Sequence, residues 1–121
     1  MVARKHHYVP QCYLKGFAVQ RRKTNQLVVF DCKSGKTFEA STANVAAERD
    51  FNRVDIEGHR PDVLETTMAE LESQIALALE RIIAARSIRQ EDDRAFLFNL
   101  IGLLALRNPR KREIWRDLAA R

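Results

Sequence analysis

The chain has 121 residues, 45% of them hydrophobic and 31% charged, and a net charge of +5. That balance fits one globular domain able to bury its own core without disulfides or structural metal. It excludes a helical membrane span, which needs roughly 18 to 20 uninterrupted apolar residues; the most apolar stretch, Ala95 to Leu106, is broken by Asn99 and Gly102.

In chain order, Arg4 and Lys5 are followed by His6, His7 and Tyr8 rather than by the apolar core of a secretory signal. A cytoplasmic protein is therefore expected. Val9-Pro10 opens the first ordered element. Proline in a first helical turn gives up no needed hydrogen bond, so a short helix is predicted from Pro10 to Phe17, with Tyr13, Leu14 and Phe17 sharing a face. Arg21-Arg22-Lys23 reads as a solvated basic turn. Gln26 to Asp31 is β-branched and aromatic, Lys33-Ser34-Gly35 supplies a turn, and Lys36 to Ala40 returns as the second strand of a hairpin. Leu27 and Val29 alternate with Val28 and Phe30, which predicts cover on both faces of the first strand.

Ser41 to Asn44 offers N-caps for a helical turn at Val45 to Glu48. Phe51 to Ile56 reads as a short strand and Glu57 to Pro61 as a loop. Asp62, with Glu65 three residues on, resembles a capping box. It starts a long helix to about Arg86, with Val63, Leu64, Met68, Leu71, Ile75, Leu79, Ile82 and Ile83 at helical spacing. A second helix is predicted from about Gln90 to Arg107. Its acidic start, Glu91-Asp92-Asp93, suits the positive helix end, and Phe96, Leu97, Leu100, Leu103 and Leu104 form its buried side. Asn108-Pro109 marks a break, and an amphipathic segment with Ile114, Trp115 and Leu118 follows. The predicted fold is α+β: a hairpin and short N-terminal elements packed on two long antiparallel helices, plus a C-terminal helix. Residues 1–121 form one domain. The helical pattern runs to Arg121 without a capping glycine, so the chain reads as the N-terminal part of a longer protein, or as one whose last helix packs on a partner.

Charge is unevenly distributed. Residues 1–36 hold eight Lys/Arg against Asp31 alone, residues 37–106 hold seven against thirteen Asp/Glu, and residues 107–121 hold six against Glu113 and Asp117. If the basic ends meet in space they form a cationic face suited to phosphate; if not, ends and middle neutralise one another. The candidate nucleic-acid contacts are Arg4, Lys5, Arg21, Arg22 and Lys23, with Arg107, Arg110, Lys111 and Arg112, where Trp115 could stack on a base. The plainer reading of the C-terminal set is an apolar stripe with its wet side. Arg107, at the end of a very apolar helix, is placed to reach an internal carboxylate. Cys12 and Cys32 have no metal-ligand spacing and read as two core thiols. His59 reads as a solvated loop residue.

The segment His6 to Phe17 mixes histidines, cations and a tyrosine in a way core packing does not require. Adjacent histidines on a strand point to opposite faces, so both bind one metal only if the backbone turns. His6 or His7 with Glu48 and Asp50 could act in acid–base catalysis, and His7, Glu48 and Asp50 could hold a divalent metal. Alternatively, Glu48 and Asp50 pair with Arg4, Lys5 or Arg53 and pin the N-terminal segment. No phosphate loop, nucleophile elbow, CxxC pair or HExxH helix is present.

Three segments, HHYVPQCYLKGF (6–17), NVAAERDF (44–51) and ALRNPRKRE (105–113), resemble in order and spacing a bacterial and phage family known as domain of unknown function 4238. The resemblance implies a longer protein and carries no established activity. Where the family typically shows an aromatic pair, this chain has Phe51-Asn52. The His-His-x-Val-Pro string also looks like the start of a His-Asn-His nuclease motif, but Lys5 stands where an acidic residue often sits and no histidine follows in the next helix. The leading expectation is a nucleic-acid-acting protein, in the form of a metal-dependent nuclease of bacterial or phage conflict systems. The alternatives are a non-catalytic module binding nucleic acid or protein, and an assembly domain pairing as a homo-oligomer or with a partner through its C-terminal helices.

Overall fold

The computed structural model describes residues 5–21, 23–49, 51, 57–60 and 62–121. In order these form β1 (Lys5–His7), α1 (Gln11–Leu14) continued by a 3-10 turn (Lys15–Phe17), β2 (Val19–Arg21), β3 (Thr24–Phe30) and β4 (Thr37–Ser41). A second 3-10 turn (Thr42–Asn44), β5 (Ala47–Arg49), α2 (Val63–Ala85), α3 (Glu91–Leu106) and α4 (Pro109–Ala119) follow. The strands make two antiparallel sheets, a ribbon of β1 and β5 and a three-stranded sheet in the order β2-β3-β4. The fold is α+β, as the pattern of periodicities predicts.

The helices follow their periodicity. Ile75 and Ala78 of α2 and Leu100 of α3 are 1 to 2% exposed and form the centre of the core; each fully buried Ile or Leu contributes about 1.5–3 kcal/mol. Ile83, counted among the core positions by spacing, is 65% exposed. It lies about 100° round the helix from Ile82, off the buried stripe. The turn into α3 is locked by Asp93, whose carboxylate accepts from Arg81 Nε at 3.0 Å; this side chain is 3% exposed. The capping box at Asp62 does not form. Its side chain makes no cap bond and pairs with Arg60 at 2.8 Å. Asn108 does cap α4: its side chain accepts from the Lys111 backbone N–H at 2.9 Å, with proline just after it.

The predicted hairpin is present as β3 and β4, with Gly35 at φ 70° where the turn requires the left-handed region. Two features differ from expectation. Arg21 of the expected basic turn is strand, since β2 pairs with the start of β3 through Arg21↔Thr24. The outer face of β3 is also open: Val28 is 70% and Phe30 62% exposed, while Leu27 is buried.

The helical turn predicted at Val45 to Glu48 is instead a bend at Val45 and Ala46 followed by strand from Ala47. The 3-10 turn comes earlier, capped by the Ser41 side chain, which accepts from Ala43 N–H at 3.3 Å. Ala46 then takes φ 52°, a left-handed conformation that a right-handed helix cannot continue through, and β5 pairs with β1. The strand expected at Phe51 to Ile56 lies outside the described residues except for Phe51, which sits in a turn. Cys32 is an exposed turn residue rather than a core thiol.

Candidate functional site

The site is a corner where the ribbon, the end of α3 and the start of α4 meet. β1 is held at its end by the strained Ala46, whose carbonyl accepts from Tyr8 N–H at 2.9 Å and Val9 N–H at 3.5 Å. Lys5 Nζ donates to the Asn44 side chain. His7 Nε2 lies 3.0 Å from the Thr42 carbonyl; a carbonyl only accepts, so this nitrogen carries the proton. Thr42 in turn donates from Oγ1 to Gln11 Oε1 at 3.2 Å, which ties the 3-10 turn to α1.

Two arginines close the corner. Arg107, 12% exposed, donates from Nη1 to Glu72 Oε1 of α2 at 2.9 Å and from Nη2 to the His7 carbonyl. The internal carboxylate expected for this residue is therefore Glu72. Arg112 donates to the Phe51 carbonyl and lies over the Phe51 ring, 4.9 Å from its centroid. Phe51 also meets Tyr8, tilted, at 5.5 Å between centroids. A groove of about 310 Å³ opens beside this stack, with Leu64, Met68 and Leu103 among its apolar lining and Arg112 and Trp115 on its α4 side.

The register decides which candidate catalytic residues meet. His6 sits opposite Glu48, and His7 opposite Ala47. Paired residues share a face and neighbours in a strand alternate, so His6 faces the same side as Glu48 while His7 faces the other. His7 and Glu48 therefore lie on opposite faces of the ribbon. Asp50, the third member of the metal set, lies outside the described residues, as do Arg4 and Arg22. Among the described residues no three His, Cys, Asp or Glu side chains cluster at metal-binding spacing. His6 itself is 2% exposed and engaged in interactions of its own, whereas Glu48 is exposed. Burial pushes the Cys12 thiol up from its ordinary value, with the charge of Glu72 adding to the effect.

The basic candidates separate into two kinds. Arg107 and Arg112 are bound to carbonyls within the corner. Arg110 and Lys111, in the first turn of α4, are exposed, and their side chains have no partner among the described residues. Arg21, on the separate three-stranded sheet, pairs with Glu39 at 3.0 Å, and Lys23 is exposed at the adjacent turn with φ 66°. Sequence reasoning missed Phe51, Thr42 and Glu72 as partners in the corner. Phe51 had a signal, as the one aromatic closing the Asn44 to Phe51 segment.

An α+β domain whose three characteristic segments close on one another defines the class. The chain matches the family described as protein of unknown function (DUF4238) over residues 5–119, and it belongs to that family. No curated protein and no solved structure matches it. No described helix is long and apolar enough to cross a membrane.

Proposed function

We propose that this chain is a cytoplasmic, nucleic-acid-binding module of a bacterial or phage system, and that binding rather than catalysis is its work. The observation that carries the reading is the docking of the basic C-terminal segment on the N-terminal half of the chain. His7 and Phe51 from the N-terminal half are bound by Arg107 and Arg112, which brings the exposed cations of α4 beside the N-terminal ribbon. Phosphate binding asks for this arrangement: some cations engaged internally to fix the frame, others left free in solvent. The histidines support a framing role, since His7 is bonded to a backbone carbonyl and His6 is buried. The test is a mobility-shift assay with labelled DNA and RNA at rising salt, with Mg²⁺, Mn²⁺ or EDTA. A shift that weakens with salt, is indifferent to EDTA and falls severalfold in Arg110→Glu/Lys111→Glu supports the module. No shift with any nucleic acid at low salt rejects it.

A metal-dependent nuclease remains the second reading, favoured by the cross-strand pair of His6 and Glu48. A divalent metal would be its cofactor. Cleavage that EDTA abolishes and that Glu48→Ala removes, with the fold intact by circular dichroism, would put it first.

A further inference from the structure

The α4 helix is charged asymmetrically around the groove. Asn108, Arg112 and Trp115 line it, at the i, i+4 and i+7 spacing that places them on one helical face. Lys111 stands one turn before Trp115, and Arg116 one turn after Arg112. Both basic residues therefore border the groove face. Glu113 and Asp117 fall on the side turned away from it, by the 100° step of the helix. The floor is apolar, with Leu64, Met68 and Leu103, and Trp115 is 68% exposed at the rim. An apolar slot walled by an accessible indole and a guanidinium, with cations on both borders and no acid among the described residues that line it, is complementary to a flat aromatic ring carried on an anionic backbone.

From this we infer that the groove seats an unstacked nucleobase against Trp115, while Lys111 and Arg116 hold the flanking phosphates. The ligand is then single-stranded nucleic acid. A duplex keeps its bases stacked and paired inside, so it presents phosphate to the cations but no free ring to the indole. The inference rests on the nucleic-acid reading above and adds the strandedness of the ligand and the residue that selects it.

Trp115 is the single tryptophan of the chain, so its fluorescence reports this groove alone. The probes are a short single-stranded oligothymidylate, an abasic strand of equal length and a duplex of equal length, titrated at low salt. The expected result is saturable quenching by the oligothymidylate and little quenching by the other two. Mobility shifts should show Trp115→Ala binding the oligothymidylate about tenfold or more weakly, with Trp115→Phe recovering part of the loss. Circular dichroism should be unchanged, because the indole is mostly in solvent. Binding of all three probes with equal affinity and no base-dependent quenching overturns the groove as a base site while leaving a phosphate-binding module standing. Binding of none overturns both readings.

Discussion

Two sheets in this molecule are held together in different ways. In the ribbon, β1 and β5 are three residues each, too short for a free-standing hairpin. Their position is set by groups far along the chain: Arg107, 100 residues from His7, and Arg112, 61 residues from Phe51. The three-stranded sheet is held by sequence neighbours. β3 and β4 pair over five residues, from Gln26↔Ser41 to Phe30↔Thr37, and much of their apolar surface faces solvent. The ribbon is therefore a tertiary product and the sheet a local one. The part of the fold that carries the candidate site is the part that rests on contacts with the helical half.

The sharpest way to break that contrast is Arg107→Ala. It leaves Glu72 without its partner and the His7 carbonyl without its donor in a mostly buried place. Removing one member of such a pair costs about 3–5 kcal/mol. Urea unfolding should show a lowered midpoint, and amide exchange should quicken at Lys5 to His7 and at Ala47 to Arg49 together. A loss below about 1 kcal/mol, the range of an exposed ion pair, would mean that the ribbon is held by something other than this arginine. At the other extreme, Phe30→Ser alters a side chain that is 62% exposed, and its effect should lie within about ±0.5 kcal/mol. A larger destabilisation would show that the outer face of β3 is covered in solution.

The same contrast explains what could be read from the chain. The long helices declare themselves by apolar residues repeating over several turns, and the Asn108-Pro109 break carries its own cap chemistry. The β3–β4 hairpin is legible from its β-branched run and the Ser34-Gly35 turn. β2 and β5, reading VQR and AER, have no apolar alternation, because each is a strand only through the partner it pairs with. The site was half legible. Arg107 at the end of an apolar helix pointed to an internal carboxylate, but nothing local identifies Glu72, 35 residues away. Bonds from Arg107 and Arg112 to backbone carbonyls leave no trace in residue type at the accepting end. The face of each histidine depended on a register that sequence does not supply.

The smallest expected effect tests the sheet's independence through its turn. Asp31 Oδ1 accepts from the backbone N–H of Lys33 at 2.9 Å and of Ser34 at 3.4 Å. These bonds, that of Lys33 foremost, hold its carboxyl below the ordinary value of 3.8, because they favour the charged form. The sign follows: a depressed carboxyl stabilises the folded turn above its ordinary value, and that contribution is lost as pH falls through the folded one. Acidification below pH 3.8 should therefore shift the Lys33 and Ser34 amide resonances together, and Asp31→Asn should remove that titration. If the sheet is a local unit, the ribbon amides of His6 and Glu48 will not follow the Asp31 transition, and global stability will be nearly unchanged between Asp31→Asn and the parent at neutral pH. Coupled movement of ribbon and turn would instead make the two sheets one cooperative unit, with the 3-10 turn between β4 and β5, capped by Ser41 and bonded through Thr42 to His7, as the segment that transmits it.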